Sequence, residues 1–150
     1  MLKVLDGYED IISVARAGKF EPRAVTVVIS GNRAQEAIAA QEVRRAGIDG
    51  RPADLDSTAP AHLMPWVSAS WSSVFRWRGE GPMPAGERAR LREFVGKAHR
   101  HGRLMRFWAT PESPAVWKEL RAAGVDLINT DKLAELRRFL LDNPPARQGP

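Results

Sequence analysis

Cysteine is absent from the 150 residues, which excludes disulfides and any thiolate metal site. His62, His99 and His101 are the three histidines, so there is little scope for a histidine-rich metal centre. No apolar run approaches the roughly 20 residues needed to cross a bilayer, and the first residues form no hydrophobic segment of the signal-peptide type. Location therefore stays unassigned, the cytoplasm being the expectation if Met1 is the genuine start. No repeat, low-complexity tract or internal linker interrupts the chain. With 43% apolar and 27% charged residues, the composition is that of a folded globular protein rather than a disordered one.

The net charge is +5, and eighteen of the 23 basic residues are arginines. A pI near 10.2 raises nucleic-acid binding as a function class. The arginines, however, are spread along helices and interleaved with glutamates, as in Glu87-Arg88, Arg90 and Arg92-Glu93. Mixed signs of this kind mark a solvated helix face, and no nucleic-acid partner is expected.

Hydrophobic periodicity alternates between strand and helix. Leu2, Leu5, Ile11, Ile12 and Ala15 predict a helix over 2–17, broken by Gly18 and Pro22. The β-branched run 24–30 predicts a strand buried on both faces. A turn at Gly31-Asn32-Arg33 leads into a helix expected over 33–46 and capped by Gly47. An extended piece over 50–55 and a loop with Pro60 and Pro65 precede a strand over 66–71. After a Gly- and Pro-rich loop, Leu91, Phe94, Val95 and Ala98 place one stripe on a helix over 85–101, stopped by Gly102. Strand 103–109, helix 113–123, strand 125–129 and helix 131–142 follow, with the tail 144–150 expected to fray. The alternation predicts an α/β fold with parallel strands, those near 24–30, 67–71, 103–109 and 125–129 being neighbours.

Polar residues collect where strands end. Ser30, Asn32 and Arg33 sit at a strand-to-helix junction, where free backbone N–H groups beside a guanidinium can hold a phosphate. Asn32 serves equally well as a plain N-cap with Gly31 as the turn residue. Ser70 and Trp71 end the next strand, and Trp108 the one after; an aromatic there either walls a ligand or fills the core. Arg106 shares a face with Trp108 and needs an anionic partner, whether a substrate phosphate or a carboxylate such as Asp54 or Asp131. Asn129 and Asp131 end the last strand, and Asp131 is also a good N-cap for the final helix. His99 and His101 close a helix before a strand, where positive charge is favourable.

The segments Arg106-Phe107-Trp108-Ala109-Thr110-Pro111 and Gly124-Val125-Asp126-Leu127-Ile128-Asn129-Thr130-Asp131 resemble the last two strands of the phospholipase C-like phosphodiesterase superfamily. That superfamily includes the glycerophosphodiester phosphodiesterases, and the likeness is greatest to its altered-inheritance-of-mitochondria-like bacterial branch. The resemblance covers about residues 20–142. It implies a (β/α)8 TIM barrel of about 250 residues, of which residues 1–143 form the C-terminal half, with strand ends facing the active site. Relatives carry a catalytic histidine pair and carboxylate ligands for Ca2+ or Mg2+ on their first three strands, in segments such as His-Asn-Asp, Glu-x-Asp and Ala-His-Asp. None of these occurs here, so no catalytic residue, metal ligand or cofactor is assigned to this chain.

The resemblance implies substrate-binding roles for Ser30, Asn32, Arg33, Ser70, Trp71, Arg106, Trp108 and Asn129, with a phosphodiester bound only in the complete barrel. The half-barrel is then expected to be inactive alone and to pair as a homodimer or with a complementary N-terminal half. The alternative is a non-enzymatic half-barrel that self-associates or docks on such a half.

Overall fold

The computed structural model describes residues 2–144; the tail expected over 144–150 lies outside the described residues from 145 onward. After a 3-10 helix, Leu2–Tyr8, the elements are β1 (Val14–Arg16), β2 (Lys19–Glu21), β3 (Val27–Ile29), α1 (Gln35–Ala39), β4 (Val43–Arg44), β5 (Ala46–Gly50), β6 (Trp66–Ser70), α2 (Trp71–Val74), α3 (Ala85–Arg100), β7 (Leu104–Trp108), α4 (Pro114–Ala123), β8 (Leu127–Ile128) and α5 (Leu133–Asp142). The fold is α/β. A parallel sheet runs in the order β3-β5-β6-β7-β8, and a small antiparallel sheet in the order β2-β1-β4. The described residues pack as two compact units, those up to 68 with 96–105, and 69–95 with those from 106 onward.

The first unit departs most from the sequence expectation. In place of the helix expected over 2–17, a 3-10 helix ends at Tyr8 and Val14–Arg16 form a strand, against which β2 is folded back by the two-residue turn of Ala17 (φ 50°) and Gly18 (φ 74°). The helix expected over 33–46 is reduced to α1, and Gly47 is a strand residue rather than a cap. A Cβ at Gly47 would lie 2.9 Å from both the Leu63 carbonyl oxygen and Pro65 Cδ, so only glycine admits the crossing chain. The β5 strand so formed lies between β3 and β6, which are therefore not direct neighbours. As an edge strand, β3 is only half-buried, against the expectation of burial on both faces. In place of an extended piece over 50–55 there is a 3-10 turn, Pro52–Asp54, closed by the Arg51 N–H donating to Asp54 Oδ2 at 2.8 Å.

Arg103, 1% exposed, fixes the loop beyond that turn by donating to the carbonyls of Asp54, Ser57 and Ala59 at 2.6–2.8 Å. One planar guanidinium can satisfy three carbonyls that would otherwise be orphaned.

In the second unit the elements match their sequence patterns closely. Trp71, Phe75, Phe94 and Phe107 form one aromatic cluster with centroid separations of 4.4–6.2 Å. Full burial of a side chain such as Phe107 contributes about 2–3 kcal/mol. Ser113 caps α4 by accepting the Val116 N–H at 3.4 Å, and Gly124, at φ 83°, closes its other end in the left-handed conformation. Trp117 on the buried face of α4 packs against Phe139 of α5 at 5.6 Å. Lys132, not Asp131, occupies the N-cap position of α5, and no side chain caps it.

Along β7 burial alternates: Met105 and Phe107 are fully buried, Arg106 is partly exposed, and Leu104 and Trp108 are 40% and 44% exposed. One face of the strand is core, and the other carries Arg106 and Trp108 toward solvent.

Candidate functional site

Ligands of parallel α/β sheets bind beyond the carboxyl ends of the strands. Polar groups gather at such ends in both units.

In the first unit the centre is Asp49, the fourth residue of β5 and 3% exposed. Its Oδ2 accepts the Ser30 hydroxyl at 2.9 Å and the Arg51 guanidinium at 3.0 Å, while Oδ1 is buried without a partner. Arg33 donates to the Asp49 carbonyl at 3.0 Å and to Asp54 Oδ2 at 2.7 Å. Burial alone would raise the Asp54 carboxyl, but the Arg33 hydrogen bond and then the Arg51 N–H hold it below the usual carboxylate range. This group is internally neutralised, each arginine facing a carboxylate. Asn32 is exposed and takes no part, since the α1 N-cap position is Ala34. With five residues, α1 is too short to provide the helix-terminal anion site expected at Ser30–Arg33.

The second unit holds a different arrangement. Arg106 Nη2 donates to Asn129 Oδ1, from β7 to the residue just after β8. Neither carboxylate expected as its partner serves: Asp54 is held by Arg33, and Asp131 offers its backbone N–H to Glu112. Among the described residues Arg106 has no carboxylate partner, so its charge is not compensated. Trp108 stands two residues along the same face. The next residue, Ala109, has φ 51°, a left-handed conformation that a non-glycine residue seldom adopts and that is common at functional strand ends. Thr110, 7% exposed, donates to the Asn129 carbonyl at 3.2 Å.

Glu112 completes the group. Its Oε1 accepts both the Thr130 hydroxyl and the Asp131 N–H, and Thr130 Oγ1 in turn accepts the Lys132 N–H at 2.9 Å. The Thr130 hydrogen bond and then the Asp131 N–H hold the Glu112 carboxyl below its ordinary value. Glu112 was not singled out in the sequence, where it reads only as a loop residue before an N-cap; nothing in the spacing shows its reach across to Thr130.

Ser70 ends β6 with its hydroxyl 3.1 Å from that of Ser72, and its carbonyl accepts the Ser73 hydroxyl at 2.8 Å. Trp71 is wholly buried, its indole N–H donating to the Trp77 carbonyl at 2.8 Å. It is a core residue with no surface for a ligand. His62 lies in the first unit, where its Nδ1 meets Arg44; His99 and His101 lie at and just beyond the C-terminal end of α3. Among the described residues no group of three histidines or carboxylates could hold a metal ion.

The part of the chain carrying Arg106, Trp108, Glu112 and Asn129 is also the part that matches a known family. Residues 105–134 match the model described as the glycerophosphoryl diester phosphodiesterase family. The match supports a phosphodiesterase-type fold, which the parallel sheet alternating with helices shares. No curated protein and no solved structure matches the chain. Among the described residues no helix is long and apolar enough to cross a membrane.

Proposed function

We propose that this chain supplies the phosphate-binding and leaving-group-binding part of a phospholipase C-like phosphodiesterase barrel, the general acid, general base and metal ligands coming from a complementary N-terminal half. The observation that carries this reading is Arg106. It is a partly buried guanidinium whose one side-chain partner is a neutral amide, set beside exposed Trp108 within the segment similar to the family. A guanidinium fork suits the anionic oxygens of a phosphodiester. An indole face suits the apolar side of a glycerol or lipid moiety. Asn129 orients the fork, and the Ser70 hydroxyl offers a further hydrogen bond. Within the first unit, Ser30 and Arg33 would meet a phosphate only by giving up Asp49 and Asp54.

Proton transfer requires a titratable group within about 3 Å of the moving proton. His62 is engaged by Arg44, and His99 and His101 belong to the end of α3 that precedes β7. A Ca2+ or Mg2+ ion would stabilise developing charge in the complete fold, but the carboxylates here do not fit one. Asp49 and Asp54 have arginines on their oxygens, whereas such ions need several free oxygen ligands. The second reading, a non-enzymatic half-barrel that self-associates, draws on the exposure of Leu104 and Trp108.

Titration with glycerophosphocholine of the chain mixed with a complementary half-barrel, without added metal and followed by the Trp108 indole resonance, tests the binding role. A saturable shift in the parent that disappears in Arg106→Ala supports it, and an unchanged shift in that variant opposes it. Metal-dependent turnover by the chain alone would overturn the division of labour.

A further inference from the structure

Strand β8 ends the parallel sheet, and α5 follows it. Among the described residues the outer edge of β8 meets no strand, so its backbone groups there are open to another chain. Helix α5 is open on one flank as well. Leu133 is 74% exposed, Leu141 63% and Leu140 38%, although Leu136 of the same helix is buried.

Helix geometry sets the direction in which these leucines point. With successive residues about 100° apart, Phe139 is turned about 60° from Leu136 to one side, and Leu140 and Leu133 about 40° and 60° to the other. Phe139 is on the side that meets α4, through Trp117 at 5.6 Å. Leu133 and Leu140 therefore face away from α4. Because α4 is the crossover from β7 to β8, that direction leads past the edge strand. An unpaired strand edge and an apolar helix flank thus lie on the same side of this unit.

The flank carries positive charge. Arg137 falls among the leucines, and no carboxylate pairs with it among the described residues. Glu135 and Asp142 fall toward the α4 side, Glu135 meeting Lys132 at 3.9 Å. A second copy of the chain fits this flank poorly. Two α5 helices laid antiparallel, Leu133 of each against Leu141 of the other, would set Arg137, midway between them, against its own counterpart, and like charges across a packed interface are unfavourable.

We propose that the edge of β8 and the flank of α5 together form the docking surface for a parallel strand–helix unit of another polypeptide. Its strand adds beside β8, and its helix lays an apolar face bearing a carboxylate against Leu133, Arg137 and Leu140. The proposal rests on the reading that a complementary half-barrel exists, and it fixes where that half attaches.

The test mixes the isotopically labelled chain with the N-terminal half of a glycerophosphodiester phosphodiesterase barrel bearing the histidine pair. On mixing, the Leu127 and Ile128 amides should gain protection from exchange, and the Leu133 and Leu140 methyl resonances should shift with saturation. Leu133→Glu combined with Leu140→Glu should weaken the association by about 10- to 100-fold, the scale of losing buried apolar anchors. Arg137→Glu should weaken it by about tenfold, while Arg92→Glu, the same reversal on the exposed face of α3, should leave it unchanged. If the double variant does not fold, Arg137→Glu carries the decision. Association that leaves the α5 methyls unmoved, or that ignores the α5 variants, overturns this docking surface and leaves the phosphodiesterase reading standing. No association at all sinks both. Shifts of the same methyls in the chain alone as its concentration rises, or with phosphatidylserine vesicles but not with the half-barrel, would assign the flank to a second copy or to a lipid surface and overturn the proposal.

Discussion

Glu112 accepts the hydroxyl hydrogen of Thr130, so the loop that follows β7 is tied to the loop that follows β8 by one carboxylate. The same oxygen takes the Asp131 N–H, and the Lys132 N–H closes back on Thr130. Arg106, Trp108 and Asn129 stand on the strand ends that these loops extend, so Glu112 governs how firmly the group is held.

Because the folded Glu112 carboxyl lies below its ordinary value, its contribution is fully present above the unfolded pKa of about 4.3. It is lost as pH falls through the lower folded value. The protection factor of the Asp131 amide, its exchange measured against the intrinsic rate at each pH, should fall several-fold on acidification. At neutral pH Glu112→Ala should reproduce that loss of protection, while Glu112→Gln, which keeps an acceptor oxygen, should show a smaller one. A protection factor at Asp131 that ignores both pH and substitution would contradict the tie.

Trp71 and Trp108, both placed among the substrate-binding residues from the sequence, part company in the structure. Trp71 is fully buried in the aromatic cluster, and Trp108 is 44% exposed. Trp71→Ala should cost about 3–5 kcal/mol of stability, whereas Trp108→Ala should cost under about 1 kcal/mol, as surface changes do. Urea denaturation of the two variants gives the comparison. The loss of phosphodiester binding should run in the opposite order among variants that remain folded.

The carboxyl-terminal elements were legible because each signal there acts locally. Leu91, Phe94, Val95 and Ala98 fall on one helical stripe, Ser113-Pro114 starts a helix and Gly124 ends one, and Arg106 and Trp108 alternate with Met105 and Phe107 along one strand. Before residue 60 the deciding contacts are distant in sequence. Gly47 is required by Leu63 and Pro65 passing over it, and spacing alone makes it look like a helix cap. Within the site, the shared face of Arg106 and Trp108 followed from strand periodicity. The pairing of Arg33 with Asp54, the burial of Asp49 and the reach of Glu112 did not, since each joins residues 16 or more apart.

Burial first, and the Arg44 charge second, depress His62 below its usual value, while a backbone hydrogen bond with Gly18 works against them. A depressed histidine stabilises fully above its unfolded pKa of about 6.5, and stability then falls as pH drops toward the folded value. Protonation would also remove the acceptor from Arg44 and set two cations side by side. The stability of the parent should decline between about pH 7 and 5, more steeply than that of His62→Gln. Parallel denaturation midpoints for the two proteins across that range would count against this.

Self-association is the next expectation. β3 and β8 are the edges of the parallel sheet, and Leu104 and Trp108 leave apolar surface on one face of β7. Open edges and exposed apolar surface favour pairing with another chain. Sedimentation velocity should show a concentration-dependent shift toward dimer, which a charged substitution at Leu104 should weaken. A strictly monomeric species at the highest soluble concentration, folding cooperatively, would oppose it.

The last expectation concerns turnover. On the proposed reading Arg106 and Trp108 would bind a phosphodiester without moving a proton, and the two carboxylates at the end of β5 and in the following turn are occupied by arginines. The purified chain should therefore leave glycerophosphocholine intact with or without added Ca2+ or Mg2+. Mixing with a half-barrel that bears the histidine pair should bring activity. In that mixture Arg106→Ala should lower kcat/KM by about 10²-fold, the scale of losing one charged contact to a transferring phosphate. Trp108→Ala should act mainly on KM, because an apolar wall holds ground state and transition state alike. His99→Ala and His101→Ala should leave both constants within about twofold, since surface changes remote from the chemistry rarely exceed that. A loss on replacing either histidine as large as that on replacing Arg106 would move the catalytic centre away from β7 and β8.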